Sequence, residues 1–213
     1  METIAIFINN KNKPKNTIVQ SMTHNFIMLQ KQQYICDQKL PYWVIFRDNL
    51  FDDVLNKLTL NVFDVFRDRQ ITNTHLTTVA SDSCIRVIKS RNITDEGDKI
   101  INIAGYDAYL DSTLAKKMSV FKYLNNQEVY LTPNMTYKPR VIKKPFGVLV
   151  NGSVAILIPK KDIIPTQKQL SFFASDAYRR FYQVARNYQT RSLNVDSCSV
   201  RKPFCHFFDN NAH

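Results

Sequence analysis

Two apolar runs flank an Asn-Gly pair in Gly147-Val-Leu-Val-Asn151-Gly152-Ser153-Val-Ala-Ile-Leu-Ile-Pro159, and this segment points most directly to a fold class. Asn-Gly in this setting is the strongest short-range indication of a β-hairpin, because both residues tolerate the positive φ angles of a type I′ turn. Pro165 and Thr166 then open a predicted helix. Its apolar face comprises Leu170, Phe173, Ala177, Phe181 and Val184. A hairpin followed by an amphipathic helix predicts an α+β fold.

Further strands and helices are predicted upstream of the hairpin. Asp48 can cap a helix over residues 50–58, because the apolar residues after it recur at helical spacing. Other helices are predicted at residues 61–69 and 107–131, the second with the longest amphipathic pattern in the chain. Strands are predicted at residues 3–8, 25–29, 33–36, 42–46, 85–88 and 100–103, the last two around an acidic turn at residues 95–98.

The composition is that of an ordinary folded protein. With 213 residues, of which 44% are hydrophobic, the chain can form one large domain or two small ones around a real core. Its four glycines exclude a clustered-glycine phosphate loop. The short apolar runs are too short for a signal peptide or a membrane span, and the four scattered cysteines suit a reducing compartment. We therefore expect a soluble protein of the cytoplasm or nucleus that is not secreted.

Basic charge is concentrated in the last third of the chain. The 29 Lys and Arg residues exceed the 18 Asp and Glu residues by 11. Residues 1–130 carry 16 basic and 14 acidic residues, a net charge of +2, whereas the remainder carries 13 and 4, a net charge of +9. This asymmetry favours an anionic partner for the C-terminal part, although a solvated basic surface would give the same count.

Nucleic acid is the partner that this charge predicts, with DNA favoured over RNA. Lys and Arg neutralise phosphates and release counterions, and neighbouring aromatic rings can stack on bases. Because Phe181 lies on the apolar face of its helix, we assign binding to the cations and not to the rings. The candidate binding residues are Arg47, Lys89, Arg91, Lys116, Lys117, Arg140, Lys143, Lys144, Lys160, Lys161, Arg179, Arg180 and Arg186.

Two blocks of the sequence match a known pattern. The first is Trp43-Val-Ile-Phe-Arg47-Asp48, followed by an amphipathic helix. The second runs from Ile101-Asn-Ile-Ala-Gly105-Tyr106 through Ser112-Thr-Leu-Ala-Lys116-Lys117 to Glu128-Val129. Together they resemble the N-terminal domain of BRO proteins, a family of insect and other large DNA viruses and of phage. The sequence departs from that pattern at Ile103, where the family has an acidic residue, and at Tyr123, where it has Trp.

The resemblance implies a compact α+β domain that binds double- or single-stranded DNA and serves viral or host gene regulation. It covers residues 25–131. It therefore divides the chain into an N-terminal strand and basic arm (1–24), a BRO-like domain (25–131) and a basic hairpin-helix region (132–213). We expect a viral regulatory factor. The alternative is a structural virion or assembly protein that contacts packaged nucleic acid or an acidic protein. Whether the protein forms a homo-oligomer stays open.

Catalytic and metal-binding patterns are weak. The four histidines lack metal-binding spacing, and no nucleophile elbow or H-E-x-x-H motif occurs. Asp52 with Asp53, and the acidic turn at residues 95–98, are typical of solvated carboxylates. Cys198, Cys205 and His206 lack a fourth zinc ligand at proper spacing. We therefore predict a protein that is not an enzyme and that has no catalytic residue and no cofactor.

Overall fold

The computed structural model describes residues 16–21, 26–31, 35, 37, 40, 43–58, 62–160, 164–186 and 193–194. Its α-helices are α1 (Asn49–Leu55), α2 (Ser112–Ala115), α3 (Gln167–Phe172) and α4 (Asp176–Ala185). Short 3-10 helices occur at Asn73–His75, Ser90–Asn92 and Ser119–Tyr123. The strands are β1 (Asn16–Ser21), β2 (Phe26–Lys31), β3 (Phe63–Arg67), β4 (Leu76–Thr77), β5 (Cys84–Ile88), β6 (Ala108–Asp111), β7 (Tyr130–Pro133), β8 (Met135–Thr136), β9 (Ile142–Lys143), β10 (Leu149–Val150), β11 (Val154–Pro159) and β12 (Leu193–Asn194).

Two four-stranded sheets organise the described residues. One has the order β10-β5-β6-β4 and the other β3-β11-β7-β9, while β1-β2 and β12-β8 form two-stranded ribbons. The pairing of β10 with β5 is parallel, and the other pairings are antiparallel. Each four-stranded sheet contains strands from before and after residue 131. The predicted α+β class is confirmed.

Strand β11 separates two hydrophobic cores. Successive side chains of a strand point to opposite faces. Ala155 and Leu157 accordingly lie in the core that includes α1 and α4, while Val154 and Ile156 lie in the core between the two sheets. Because both faces of β11 are buried, its sequence is a continuous apolar run and not an alternation.

The predicted hairpin at Asn151-Gly152 is wrong. β10 and β11 do not pair with each other, because β10 joins β5 and β11 lies between β3 and β7. The turn between them is closed by a hydrogen bond from Val154 N to Asn151 O at 3.0 Å. Gly152 lacks the positive φ of a type I′ turn. A Cβ at Gly152 would lie 2.8 Å from the carbonyl oxygen of Asp68, so close approach, and not turn geometry, requires glycine here.

Two of the predicted helices are also wrong. Residues 61–69 contain β3, whose partner is β11, and residues 107–131 contain β6, α2, a 3-10 helix and the start of β7. The apolar positions of the second segment are indeed core positions, since Leu110, Ala115 and Val120 are buried. Non-local strand pairing outweighs the local periodicity in both segments.

Predicted strands have mixed outcomes. β2 and β5 match residues 25–29 and 85–88 closely. Trp43 to Phe46 are not a strand, and of residues 100–103 only Ile100 makes a β-bridge, to Ile93. Residues 3–8 and most of residues 33–36 lie outside the described part of the chain.

The helix caps predicted from the sequence are confirmed. The Asp48 carboxylate accepts a hydrogen bond from Phe51 N at 2.8 Å and begins α1. Thr166 caps α3, but Ser175 caps a separate helix, α4, so the single predicted C-terminal helix is two. Leu170, Phe173, Phe181 and Val184 are buried as the apolar face predicts.

Candidate nucleic-acid interface

A group of cations is placed at the end of strand β5. Ile85 and Val87 of this strand belong to the core between the two sheets, so strand alternation sends Arg86 to the opposite face. The 3-10 helix Ser90–Asn92 follows directly, with Lys89 as its N-cap and Arg91 exposed within it. One short segment therefore presents three cations.

The ring of Tyr106 brings two of these cations together. Lys89 Nζ lies 3.9 Å from the ring centroid and Arg91 Cζ lies 4.7 Å from it. Arg91 N also donates a hydrogen bond to Tyr106 Oη at 3.4 Å. The negative face of an aromatic ring attracts cations, so both side chains are held against the same ring. Gly105, at φ +70°, makes the turn that presents the ring.

A buried asparagine joins the 3-10 helix to the Tyr106 loop. Asn92 Oδ1 accepts a hydrogen bond from Lys89 N at 2.9 Å. Asn92 Nδ2 donates to Ile101 O at 3.1 Å and to Asp107 Oδ1 at 2.7 Å. Since Asn92 is fully buried, these bonds are shielded from water and hold the backbone of Lys89 against the loop.

Arg86 completes the group. Its Nη2 donates to Ile101 O at 3.0 Å and lies 3.7 Å from Asp107 Oδ1. We call Arg86, Lys89, Arg91 and Tyr106 the Tyr106 cluster. Asp107 balances one of its three positive charges, and a net positive surface remains. Arg86 and Tyr106 were not predicted, although the alternation of Ile85, Arg86 and Val87 could have identified Arg86.

Arg140, a predicted phosphate ligand, lies instead beneath the cluster. It is buried, and its guanidinium donates to Ser90 O at 3.2 Å and to Ile93 O at 3.1 Å. Further bonds join it to Thr136 Oγ1 and Lys138 O. Burial lowers the pKa of Arg140 from its ordinary value, and the nearby carboxylates of Asp95 and Glu96 oppose that shift. Arg140 is therefore a structural cation that supports the 3-10 helix.

Lys144 is likewise buried and not open to a phosphate. Its Nζ donates to Leu124 O at 2.8 Å and to Pro145 O at 2.9 Å. Burial lowers the pKa of Lys144 to about 8. A lysine is seldom buried fully without a carboxylate partner, so this placement could not be inferred from sequence.

Four other predicted cations lie beside carboxylates. Arg47 Nη1 is 2.8 Å from Asp37, and its Nε is 2.5 Å from Asp52. On α4, Arg179 lies 2.9 Å from Asp176 and Arg180 lies 2.8 Å from Asp48. The fourth contact, between Lys160 and Asp64, is 3.4 Å. These neighbours reduce the net charge that the four cations offer to phosphate.

Three of the remaining candidates are exposed. Lys116, Lys117 and Lys143 are exposed, and Arg186 Cζ lies 5.8 Å from the centroid of the Tyr182 ring. Lys161 lies outside the described residues, as do Cys198, Cys205 and His206. Of the thirteen candidates, the structure brings Lys89 and Arg91 together on one aromatic ring.

No family model matches the chain, and no curated protein matches it. The resemblance to BRO proteins stays a prediction. Among the described residues, no group of three His, Cys, Asp or Glu side chains is placed to hold a metal ion. Within the same residues, no helix combines the length and the apolar character needed to cross a bilayer.

Proposed function

We propose that the protein is a non-enzymatic nucleic-acid-binding factor that contacts phosphates through the Tyr106 cluster. The observation that carries this proposal is the placement of Lys89 Nζ and Arg91 Cζ at 3.9 and 4.7 Å from the centroid of one tyrosine ring. Arg86 is a third cation of the cluster, and Asp107 balances one of the three positive charges.

The rigidity of the cluster supports binding to phosphate. Asn92 and Arg140 hold the backbone on which Lys89 and Arg91 are carried. A cation that is already fixed loses less conformational entropy when it contacts a ligand. Arg presents several donors to phosphate oxygens, and Lys contributes a point charge.

We favour DNA as the ligand and a viral regulatory role for the protein. Both statements rest on the BRO-like blocks and not on the geometry of the cluster. A backbone phosphate of RNA would fit the same cations. A structural protein of a virion would use them without choice of sequence.

Fluorescence anisotropy with labelled duplex DNA, single-stranded DNA and RNA tests the proposal. We expect affinity to fall steeply with salt, because each neutralised phosphate releases counterions. The double substitution Lys89→Ala/Arg91→Ala should weaken binding at least tenfold at low salt. The control Arg179→Ala/Arg180→Ala removes the same charge from α4 and should change affinity much less, because both arginines lie beside carboxylates.

Absence of binding to all three nucleic acids near physiological salt would contradict the proposal. Retention of binding to an acidic protein in that case would favour the assembly role. Equal losses from the two double substitutions would show that binding follows total charge and not the Tyr106 cluster.

A further inference from the structure

A second surface feature, distinct from the Tyr106 cluster, is the exposed ring of Phe146. This side chain is 62% exposed and lies in the turn between β9 and β10. Single apolar residues on a surface are common and by themselves indicate nothing. The construction of the turn beneath Phe146 is what distinguishes it.

Two donors fix this turn to one carbonyl oxygen. Lys144 Nζ donates to Leu124 O at 2.8 Å, and Gly147 N donates to the same oxygen at 3.1 Å. Lys144 Nζ also donates to Pro145 O at 2.9 Å, and Gly147 has φ +69°. Phe146 therefore lies between two anchored residues and follows a proline, whose φ is fixed.

The anchor is costly for folding. Lys144 is 1% exposed, and its ammonium is held by carbonyl oxygens and not by a carboxylate. A buried ammonium without a counter-ion opposes folding. A hydrophobic residue at position 144 would avoid this cost but would remove the hydrogen bonds to Leu124 O and Pro145 O, so the lysine holds the turn in one conformation.

An exposed cation on the segment before the turn suits an anionic chain. Lys143 is exposed on β9, three residues before Phe146. The ring and one exposed cation therefore lie on the same short segment.

We propose that Phe146 stacks on the face of one unstacked nucleobase and that Lys143 contacts the adjoining phosphate. This proposal rests on the proposed nucleic-acid binding and specifies that the bound nucleic acid carries an unpaired base. An aromatic ring accepts any base, so the contact selects unpaired nucleotides and not a sequence. The base can come from a single strand or from a bulge in a duplex.

Four labelled ligands of equal length test the proposal by anisotropy: single-stranded oligothymidylate, the same strand without bases, a fully paired duplex and a duplex with one bulged thymidine. Phe146→Leu should weaken binding to the two ligands that present an unpaired base by about 5- to 150-fold, the range for loss of one stacked base. Binding to the strand without bases and to the paired duplex should not change. The ligand with the larger loss identifies the source of the base.

Tyr137 provides a matched control, since it is also 62% exposed on a loop. Tyr137→Leu should leave all four affinities unchanged, and Phe146→Trp should retain or strengthen binding to unpaired bases. Lys143→Ala should lower the salt dependence by about one unit without distinguishing the strands with and without bases.

The proposal is overturned if Phe146→Leu binds all four ligands as the wild-type protein does, or if it loses affinity equally for the strand without bases. Wild-type protein that binds none of the four would instead contradict the nucleic-acid function itself. Circular dichroism of each variant checks that it is folded, which we expect because both rings are exposed.

Discussion

The guanidinium of Arg140 donates two hydrogen bonds to the carbonyl oxygen of Ile93, from Nε at 3.3 Å and from Nη2 at 3.1 Å. Ile93 directly follows the 3-10 helix that carries Arg91, and Ser90 within that helix accepts a third bond. A cation that composition assigns to a basic surface is thus used inside the protein. Arg140 therefore connects the segment that follows β8 to the 3-10 helix of the Tyr106 cluster.

Replacement of Arg140 by methionine should destabilise the protein by about 2–5 kcal/mol, because buried carbonyl oxygens would lose their donor. Urea unfolding measures the change. Lys138→Ala is the control: Lys138 contacts Asp95 at 2.6 Å, but the pair is exposed and should contribute less than about 1 kcal/mol. Equal effects of the two substitutions would contradict a structural role for Arg140.

The buried ammonium of Lys144 predicts a dependence of stability on pH. Its pKa of about 8 in the folded state lies below the ordinary value of 10.5, so the unfolded chain binds more protons between these two values. Stability should therefore rise as pH increases from about 8 to 10.5. The contribution is on the order of 3 kcal/mol across this window.

Lys144→Met isolates this contribution from the other groups that titrate at high pH. The difference in unfolding free energy between wild type and variant should change across the window and be constant below it. A difference that does not vary with pH would show that the pKa of Lys144 is the same in the folded and the unfolded protein.

The contact between Phe51 and Phe181 predicts that the ring of Phe181 stabilises the core. The two rings stack at a centroid distance of 4.7 Å and join α1 to α4. Phe181→Ala should cost about 3–5 kcal/mol in the free energy of unfolding. Nucleic-acid affinity of the folded variant should not change, and a specific loss of affinity without a loss of stability would assign the ring to binding instead.

A side chain at position 152 should destabilise the protein, because the backbone of Asp68 occupies the space that its Cβ would need. Gly152→Ala places a Cβ 2.8 Å from the carbonyl oxygen of Asp68 and should destabilise the protein by roughly 1–3 kcal/mol. Gly105→Ala is a useful comparison, because its cost comes from φ +70° while the space around it is open. Thermal unfolding of both variants measures the two costs. An unchanged melting temperature for Gly152→Ala would contradict the close approach.

Local sequence patterns predicted the parts of the fold that local physics determines. Asp48 caps α1 because its carboxylate reaches an amide three residues away, and Phe181 is buried because its helix has one apolar face. The apolar spacing of residues 107–131 predicted core positions correctly but their secondary structure wrongly. There the strand β6 takes its conformation from β5, more than twenty residues earlier, which no local window contains.

The candidate site was less predictable for the same reason. Lys89 and Arg91 were identified by charge, yet Tyr106 joins them only because a loop fifteen residues later folds back. Arg140 and Lys144 were assigned to a binding surface, and the structure buries both. Most of their acceptors are backbone carbonyl oxygens, which leave no mark on composition. Burial of a cation by such partners cannot be deduced from sequence spacing.

The salt dependence of affinity for labelled DNA, compared between wild-type protein and Lys89→Ala/Arg91→Ala, tests the central claim most directly. If both cations contact phosphates, the slope of log affinity against log salt concentration should become shallower by about two on duplex DNA. An unchanged slope, with Arg179→Ala/Arg180→Ala giving the shallower line instead, would contradict the account and place the interface on α4.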